Sequence, residues 1–485
     1  MIVSDIVGHY AASAPGRTAL IGPDREISYG DLARRVDAWC RDLAERGVRA
    51  GDRVAVLATD RIEYAEVVLA LSVLGAVWVP VNHRLAAPEV AHILADSDAC
   101  GVYYTTDREH VADALRDTCA AWFAPLVLEP EERYPARYPA PRPDPDALFC
   151  LMYTSGTTGR PKGAALTHRQ FLAGTYYLMC GIGITADERI LQCVPQFHAG
   201  GAIYQFAHLL AGATVVLPPR FDPDTVELLA ERHRATALGI VPTMMHALND
   251  AGSTFPGVSR VMYGGSPIDP GVLTRMMDRC PADYVQTYGQ TEAGVIVTVL
   301  GAEAHRRAVV DRNEELLRSC GRPLLGYEVR LGEVNGDGVG EILVRSDSVM
   351  REYWRRPDAT AETLADGWLH TGDIGRWDGD GFLYLVDRKS ALIISGGENV
   401  YPLEVERALC AHPDIVDAAV VGVVDERWGQ RVKAYLVAPG RRPDIDELKD
   451  FCRGRIAGFK IPRVIEYVAQ LPRNASGKVT KHKLS

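Results

Sequence analysis

Short apolar runs alternate with helix-period stretches along most of this chain, and that alternation restricts its fold more than any other feature. Between Ile27 and Val81, Ser28-Tyr29-Gly30-Asp31 opens an amphipathic stretch to Leu43, Arg53 to Ala58 is apolar, Ala65 to Leu74 has helical spacing, and Val77 to Val81 is apolar again. The rhythm returns at Ala213 to Leu217, Ala237 to Val241 and Ser259 to Tyr263. Strands separated by helices need crossover connections, so the pattern predicts a mainly parallel sheet covered on both faces. Ligands of such sheets bind beyond the carboxyl ends of the strands. Pro242-Thr243, Gly264-Gly265-Ser266 and Tyr288-Gly289 all follow such ends. After Val329 the texture changes to short strands punctuated by turns such as Asn335-Gly336-Asp337-Gly338 and Asp378-Gly379-Asp380-Gly381, which predicts an antiparallel subdomain. From Asp387 a smaller alternating unit begins and ends in a lysine-bearing tail.

One polar run stands out against this scaffold. Tyr153-Thr154-Ser155-Gly156-Thr157-Thr158-Gly159-Arg160-Pro161-Lys162-Gly163 follows the apolar segment Ala147 to Met152. Glycines let successive backbone N–H groups turn towards one anion, the hydroxyls donate further hydrogen bonds, and the arginine and lysine balance charge. The run reads as a phosphate-holding loop. It is not a Walker loop, because Lys162 lies between Pro161 and Gly163 where that pattern needs Gly-Lys-Ser/Thr. Gly181-Ile182-Gly183-Ile184-Thr185-Ala186 matches the dinucleotide fingerprint in letters only; no strand run precedes it, and it reads as a structural turn.

The 485 residues call for two or three domains. The 53 Lys plus Arg against 63 Asp plus Glu, a formal net charge of −10, argue against nucleic acid as a partner. Ten cysteines are scattered singly, with neither zinc-type pairing nor a disulfide framework, and a cytoplasmic location is expected. The segment from Met1 lacks the features of a signal peptide, and the longest apolar run, Val67 to Val81, is broken by Ser72, Gly75 and Pro80, so no transmembrane segment is expected.

Taken in order, these pieces resemble the adenylate-forming superfamily of acyl-CoA synthetases, peptide-synthetase adenylation domains and beetle luciferases. Thr154 to Gly163 resembles its signature for the ATP phosphates; Pro195-Gln196-Phe197-His198-Ala199-Gly200-Gly201 resembles the segment bordering the acyl pocket. Tyr263-Gly264-Gly265-Ser266-Pro267 and Gln286-Thr287-Tyr288-Gly289-Gln290-Thr291-Glu292 resemble the adenine and magnesium segments. Trp368 to Asp373 carries the ribose aspartate, Asp387-Arg388-Lys389-Ser390 the hinge, Ser395 to Asn399 the thiolation loop, and Lys478 the catalytic lysine. The resemblance implies an α/β fold. A large N-terminal domain of αβ-layered sheets with an antiparallel subdomain spans 1–387, a hinge 388–391, and a small mobile α+β C-terminal domain 392–485.

It also implies ATP, Mg²⁺ and coenzyme A. A carboxylate is a poor electrophile, and attack on the α-phosphate of ATP converts it to a mixed anhydride with AMP as leaving group; fixed cations and N–H dipoles must then hold two anions together. By resemblance Lys478 bridges carboxylate and α-phosphate, Thr291 bonds phosphate, and Glu292 holds Mg²⁺. Thr154, Ser155, Gly156, Thr157, Thr158, Gly159 and Lys162 hold phosphates, with Gly264, Gly265, Ser266, Tyr288 and Gly289 on the nucleotide and Asp373 and Arg388 on the ribose. His198 lies beside the acyl carboxylate. Gly396 and Gly397 admit a pantetheine arm after rotation about the hinge, aligned at Ser390 with Lys389 as the alternative. Phe197, His198, Gly200, Gly201, Gly239 and Gly265 outline the substrate pocket. That pocket holds no acidic residue at 198–201 and no arginine after Pro242-Thr243, so neither an α-amino acid nor a dicarboxylate is expected. The expected substrate is a hydrophobic acid: fatty, aryl or a bulky natural-product acid. Coenzyme A is the expected acceptor. The alternatives are loading of a carrier protein, a single half-reaction, or non-catalytic binding of acyl-adenylates, with the chain as monomer or homodimer.

Overall fold

The computed structural model describes residues 1–116, 121–127, 138–154, 161–395, 398–425, 428–453, 455–473 and 479–484. The chain is mixed α/β and divides into two compact units, residues 1–329 with 344–370 and residues 330–343 with 371–485.

The first unit holds two sheets. In the nine-stranded sheet the strands Asp283–Tyr288, Arg260–Gly264, Ala237–Ile240, Arg189–Gln192, Thr214–Val216 and Thr18–Ile21 run parallel in that spatial order. Antiparallel strands flank them: Thr298–Leu300 and Arg322–Pro323 at one edge, Glu26–Ser28 at the other. In the seven-stranded sheet, Leu148–Thr154, Val77–Pro80, Arg53–Leu57, Ala99–Tyr104 and Trp122–Pro125 are parallel in that spatial order, while Lys162–Thr167 pairs antiparallel with Leu148–Thr154 and Glu352–Tyr353 antiparallel with Lys162–Thr167.

Helices fill the space between the sheets. Ile62–Leu74 and Ala199–Leu210 are buried on nearly every side, as apolar all-round helices must be. Phe149 of the smaller sheet meets Phe171 and Phe206 at ring separations of 5.0 and 6.4 Å. On its other side, the helix carrying Phe206 sends Tyr204 to the larger sheet. Helix ends follow their sequence signals: Ser28 and Asp31 form a reciprocal capping box before Tyr29–Glu45, and Thr167 with Gln170 does the same before His168–Ile182. That second helix ends on Gly183 at φ 68°, so the dinucleotide-like letters are a helix stop.

In the second unit the Asp373–Trp377 part of the strand Trp368–Trp377 pairs antiparallel with Leu383–Arg388. A further sheet orders Glu398–Val400, Ile393–Ser395, Gly429–Val437 and Asp417–Asp425, with Val464–Tyr467 parallel to Gly429–Val437. Val405 and Leu409 from the helix Pro402–Cys410 close a core with Val420, Val432, Leu436 and Leu448. Among the described residues no helix is long and apolar enough to cross a membrane, and the nine described cysteines are free thiols.

Candidate active site

The antiparallel pairing sets Thr154 opposite Lys162, so the strand ladder holds both ends of the glycine-rich segment. Ser155, Gly156, Thr157, Thr158 and Gly159 lie outside the described residues. Thr154 Oγ1 donates to Glu292 Oε1 at 2.8 Å, and the Tyr353 hydroxyl donates to the same oxygen at 2.9 Å. Glu292 is 8% exposed, and its carbonyl accepts from Met350 N at 2.8 Å. Lys162 Nζ stands 5.1 Å from the centroid of the Tyr353 ring, a cation–π arrangement. Two segments remote in sequence thus bring two hydroxyl donors to one carboxylate, and Lys162 faces the ring that carries one of them.

The donor set suits Mg²⁺. It offers carboxylate and hydroxyl oxygen only, and among the described residues no group of three or more His, Cys, Asp or Glu gathers as a metal cage. Mg²⁺ is commonly held by one or two carboxylates together with water and substrate phosphates.

Thr291 and Glu292 belong to a single 3₁₀ turn, Thr291–Ala293, that follows the strand Asp283–Tyr288. The turn folds back so tightly that a Cβ on Gly289 would lie 2.1 Å from the Val295 carbonyl oxygen. Val295 itself sits at φ 86°, a left-handed conformation that a β-branched residue adopts only under strain. Tyr288 is half-buried. Gly264 is equally constrained, since its Cβ would meet the Thr287 carbonyl oxygen at 2.4 Å. Gly265, at φ 88°, faces open space, with half-buried Ser266 beside it.

His198 ends the turn that begins at Pro195, donating its N–H to the Pro195 carbonyl at 3.0 Å, and caps the helix Ala199–Leu210. Its Nδ1 accepts from Gly200 N at 3.1 Å, so the neutral ring carries its proton on Nε2 and can donate from there. Gly201 has no room for a side chain: a Cβ would lie 2.1 Å from the Pro195 oxygen. Gly200 is less confined, with His198 Nδ1 at 3.4 Å from that position, and at Gly239 it is Tyr204 and Ile190 that stand 3.3 Å away. Of the four glycines expected to outline the substrate pocket, Gly265 alone has nothing within 4 Å of a built Cβ.

Asp60 pins this turn from another segment. Its Oδ1 accepts Gln196 N at 2.7 Å, while Gln196 Oε1 accepts Arg61 N and its Nε2 donates to Gln205 Oε1, both at 2.8 Å. Phe197 meets the His83 ring edge-on at 5.1 Å. Asp60, His83, Arg84, Pro195, Arg220 and Met244 line a cavity of about 460 Å³. Burial pushes the Asp60 carboxyl up to about 7 against the opposing pull of the Gln196 N–H and Arg84. Burial, with Arg84 and Arg108 adding to it, pulls His83 down to about 4.

In the second unit Asp373 and Arg388 face each other across paired strands, with Arg388 Nε 2.6 Å from Asp373 Oδ1. Lys389 Nζ donates to Glu341 Oε2 at 2.9 Å, and Glu341 Oε1 accepts Gly372 N at 3.1 Å. Ser390 falls in the short turn Lys389–Ala391; Gly396, Gly397 and Lys478 lie outside the described residues. Tyr353 and Asp60 were not among the sequence candidates. No local pattern marks Tyr353, whose partner lies 61 positions away, and Asp60 is marked only by its place just past an apolar strand run.

Known proteins resemble the chain over nearly its whole length. Residues 8–354 match the family model of the AMP-binding enzyme and residues 404–478 that of the AMP-binding enzyme C-terminal domain. The chain is 39% identical over 482 residues to a feruloyl-CoA synthase of an Amycolatopsis species, covering 97% of this chain and 96% of the relative. It is 38% identical over 505 residues to an indoleacetate–CoA ligase of Aromatoleum aromaticum, covering 99% and 97%. Among solved structures, the o-succinylbenzoate CoA synthetase of Bacillus subtilis superimposes with a TM-score of 0.88 at 32% identity, covering 99% and 97%, in complex with its acyl-adenylate intermediate. The same synthetase with ATP and magnesium ion gives a TM-score of 0.86 at 32% identity, covering 99% and 98%. The chain therefore belongs to the AMP-binding enzymes of the adenylate-forming superfamily, as an AMP-forming acid–thiol ligase that acts on a carboxylic acid, ATP and coenzyme A.

Proposed function

We propose that this ligase takes a hydrophobic, ring-bearing carboxylic acid, joins it to AMP with release of pyrophosphate, and then passes the acyl group to the thiol of coenzyme A. The observation that carries the first step is the convergence of the Thr154 and Tyr353 hydroxyls on buried Glu292, with Lys162 facing the Tyr353 ring. A bound Mg²⁺ supplies charge neutralisation for the phosphates, and Glu292 is the carboxylate to hold it. Thr154 and Tyr353 orient that carboxylate before the metal arrives, so little reorganisation remains for the moment of reaction. Lys162 and Thr291 would bind phosphate oxygens of the nucleotide.

His198 Nε2–H donates to the acid's carboxylate, its direction set by the Nδ1 cap bond to Gly200 N. Asp373, paired with Arg388, accepts from the ribose hydroxyls. Lys478 bridges the attacking carboxylate and the α-phosphate, spreading the charge that two approaching anions concentrate. For thioester formation we assign residues 388–391 as the hinge, residues 392–485 as the moving domain, and Gly396 and Gly397 as the close-approach positions for the pantetheine arm. The cavity beside Pro195 and Met244, bounded by Arg84 and Arg220, suits an arm ending in phosphates. Preference for a ring-bearing acid rests on the feruloyl and indoleacetate relatives together with the apolar, acid-free segment around His198.

Lys478→Ala tests the assignment. Acid-dependent pyrophosphate release from ATP is expected to fall by at least a hundredfold, while thioester formation from supplied acyl-adenylate persists. Unchanged pyrophosphate release would overturn the role of Lys478. An acyl-adenylate that accumulates in the wild type and passes to a carrier protein, but not to coenzyme A, would overturn the acceptor.

A further inference from the structure

Resting on the proposed transfer to coenzyme A, we infer that Asp60 is the general base of the second step and takes the proton of the acceptor thiol as sulfur bonds to the acyl carbon. Asp60 lines the cavity of about 460 Å³ together with Arg84, Pro195, Arg220 and Met244. In that order, these five residues follow the carboxyl ends of the parallel strands Arg53–Leu57, Val77–Pro80, Arg189–Gln192, Thr214–Val216 and Ala237–Ile240. The cavity thus lies where both sheets of the first unit present the ends that bind ligands. No other Asp or Glu among the described residues lines it.

The carboxyl group is fixed at one oxygen and available at the other. Asp60 Oδ1 accepts Gln196 N at 2.7 Å, one residue after Pro195 and two before His198. It is therefore tied to the turn whose last residue is proposed to receive the acid. Among the described residues no donor reaches Oδ2, and that atom is not sealed inside the protein, so it is left to the cavity that Asp60 lines. The bond to Gln196 needs an acceptor but no charge, and an asparagine oxygen serves as well. Burying an ionisable carboxyl where an amide suffices is costly, and groups of that kind gather at functional sites.

The groups around Asp60 are poor proton acceptors near neutrality. Burial, with Arg84 and Arg108 adding to it, holds His83 down at about 4. Burial, with the Asp60 charge adding to it, keeps the Cys193 thiol and the Tyr64 hydroxyl protonated. Arg84 and Arg220 are cations, and Arg61 turns its Nε to Glu63 at 3.1 Å. Asp60, pushed up to about 7 by burial, changes charge in the range where a base is most effective at physiological pH. As the new S–C bond forms, the S–H proton passes to Asp60 Oδ2. The bond from the acyl carbon to the phosphate oxygen breaks, AMP leaves with that electron pair, and the carboxyl group then gives its proton to water.

The test supplies acyl-adenylate and coenzyme A to the intact chain and follows thioester formation from about pH 5.5 to 9.5, with acid-dependent pyrophosphate release measured alongside. In the wild type the logarithm of the thioester rate is expected to rise with unit slope and level off near pH 7. In Asp60→Asn the ratio of thioester formation to pyrophosphate release is expected to fall about a hundredfold at pH 7. That deficit should shrink as pH rises, because a thiol ionises unaided near about 8.5. A variant whose ratio at pH 7 stays within about threefold of the wild type, or whose profile runs parallel to it at every pH, would overturn the base. If Asp60→Asn does not fold, the wild-type profile alone carries the test, and the absence of a limb near pH 7 would overturn the base. A wild type that forms thioester at no pH would overturn the acceptor reading, and the base with it.

Discussion

Replacing Tyr353 by phenylalanine removes one of the two hydroxyls that hold Glu292 and changes little else. The aromatic ring that faces Lys162 remains, and so does the strand pairing of Tyr353 with Ala164. A hydrogen bond to a charged acceptor is worth about 1.5–3 kcal/mol. At 1.4 kcal/mol per factor of ten, its full loss corresponds to roughly 10- to 150-fold. Because Thr154 still donates to the same oxygen, the single variant is expected at the low end, a drop of about tenfold in kcat/KM for ATP. The concentration of Mg²⁺ giving half-maximal rate should rise with it. Removing Thr154 as well leaves Oε1 without either donor, so the loss in Tyr353→Phe with Thr154→Val should exceed the product of the single losses. The assay is continuous pyrophosphate release at saturating acid with Mg²⁺ titrated, on variants whose thermal unfolding has been measured. A Tyr353→Phe enzyme within twofold of the wild type at every Mg²⁺ concentration would refute the orienting role.

Gly289→Ala places a Cβ 2.1 Å from the Val295 oxygen, and the turn must shift; we expect about 1–3 kcal/mol of destabilisation by denaturant titration, with adenylation falling alongside. Asp60 keeps its proton to about 7 when folded. An unfolded aspartate releases it near 4. The folded state thus binds more protons between those values, and this group makes stability decrease as pH rises through that window. Asp60→Asn should flatten that part of the profile of Tm against pH; an unchanged slope would refute it. Lys389 and Glu341 form a pair whose lysine is 58% exposed, so Lys389→Ala should cost less than about 1 kcal/mol in urea unfolding, and a loss above twice that would show a structural role.

The parallel sheets were legible because strand and helix periods differ and each run is long enough to show its own. The strand leading into the glycine-rich segment was legible for a related reason, since an apolar run stops abruptly at Thr154; its antiparallel pairing with Lys162–Thr167 was not. What the sequence does not display is convergence. Tyr353 meets Glu292 across 61 positions, and Asp60 meets Gln196 across 136, contacts created by sheet order and not by local pattern. The glycines teach the same lesson in reverse. Gly201, Gly239, Gly264 and Gly265 look alike as letters, yet the first three face close neighbours and the last faces open space. The expected boundary near 387–391 followed sequence texture, whereas compactness groups residues 330–343 with 371–485.

Val295 carries a consequence for anyone seeking a hardier form of this enzyme. A β-branched residue at φ 86° costs on the order of 1–3 kcal/mol, and glycine there would relieve it. Yet the same turn presses the Val295 carbonyl against Gly289 and brackets Glu292, so the relief would come from slackening the segment that carries the carboxylate we propose to hold the metal. Thermostability screens and activity screens should therefore rank substitutions at this position in opposite order, a local instance of the trade-off between stability and activity.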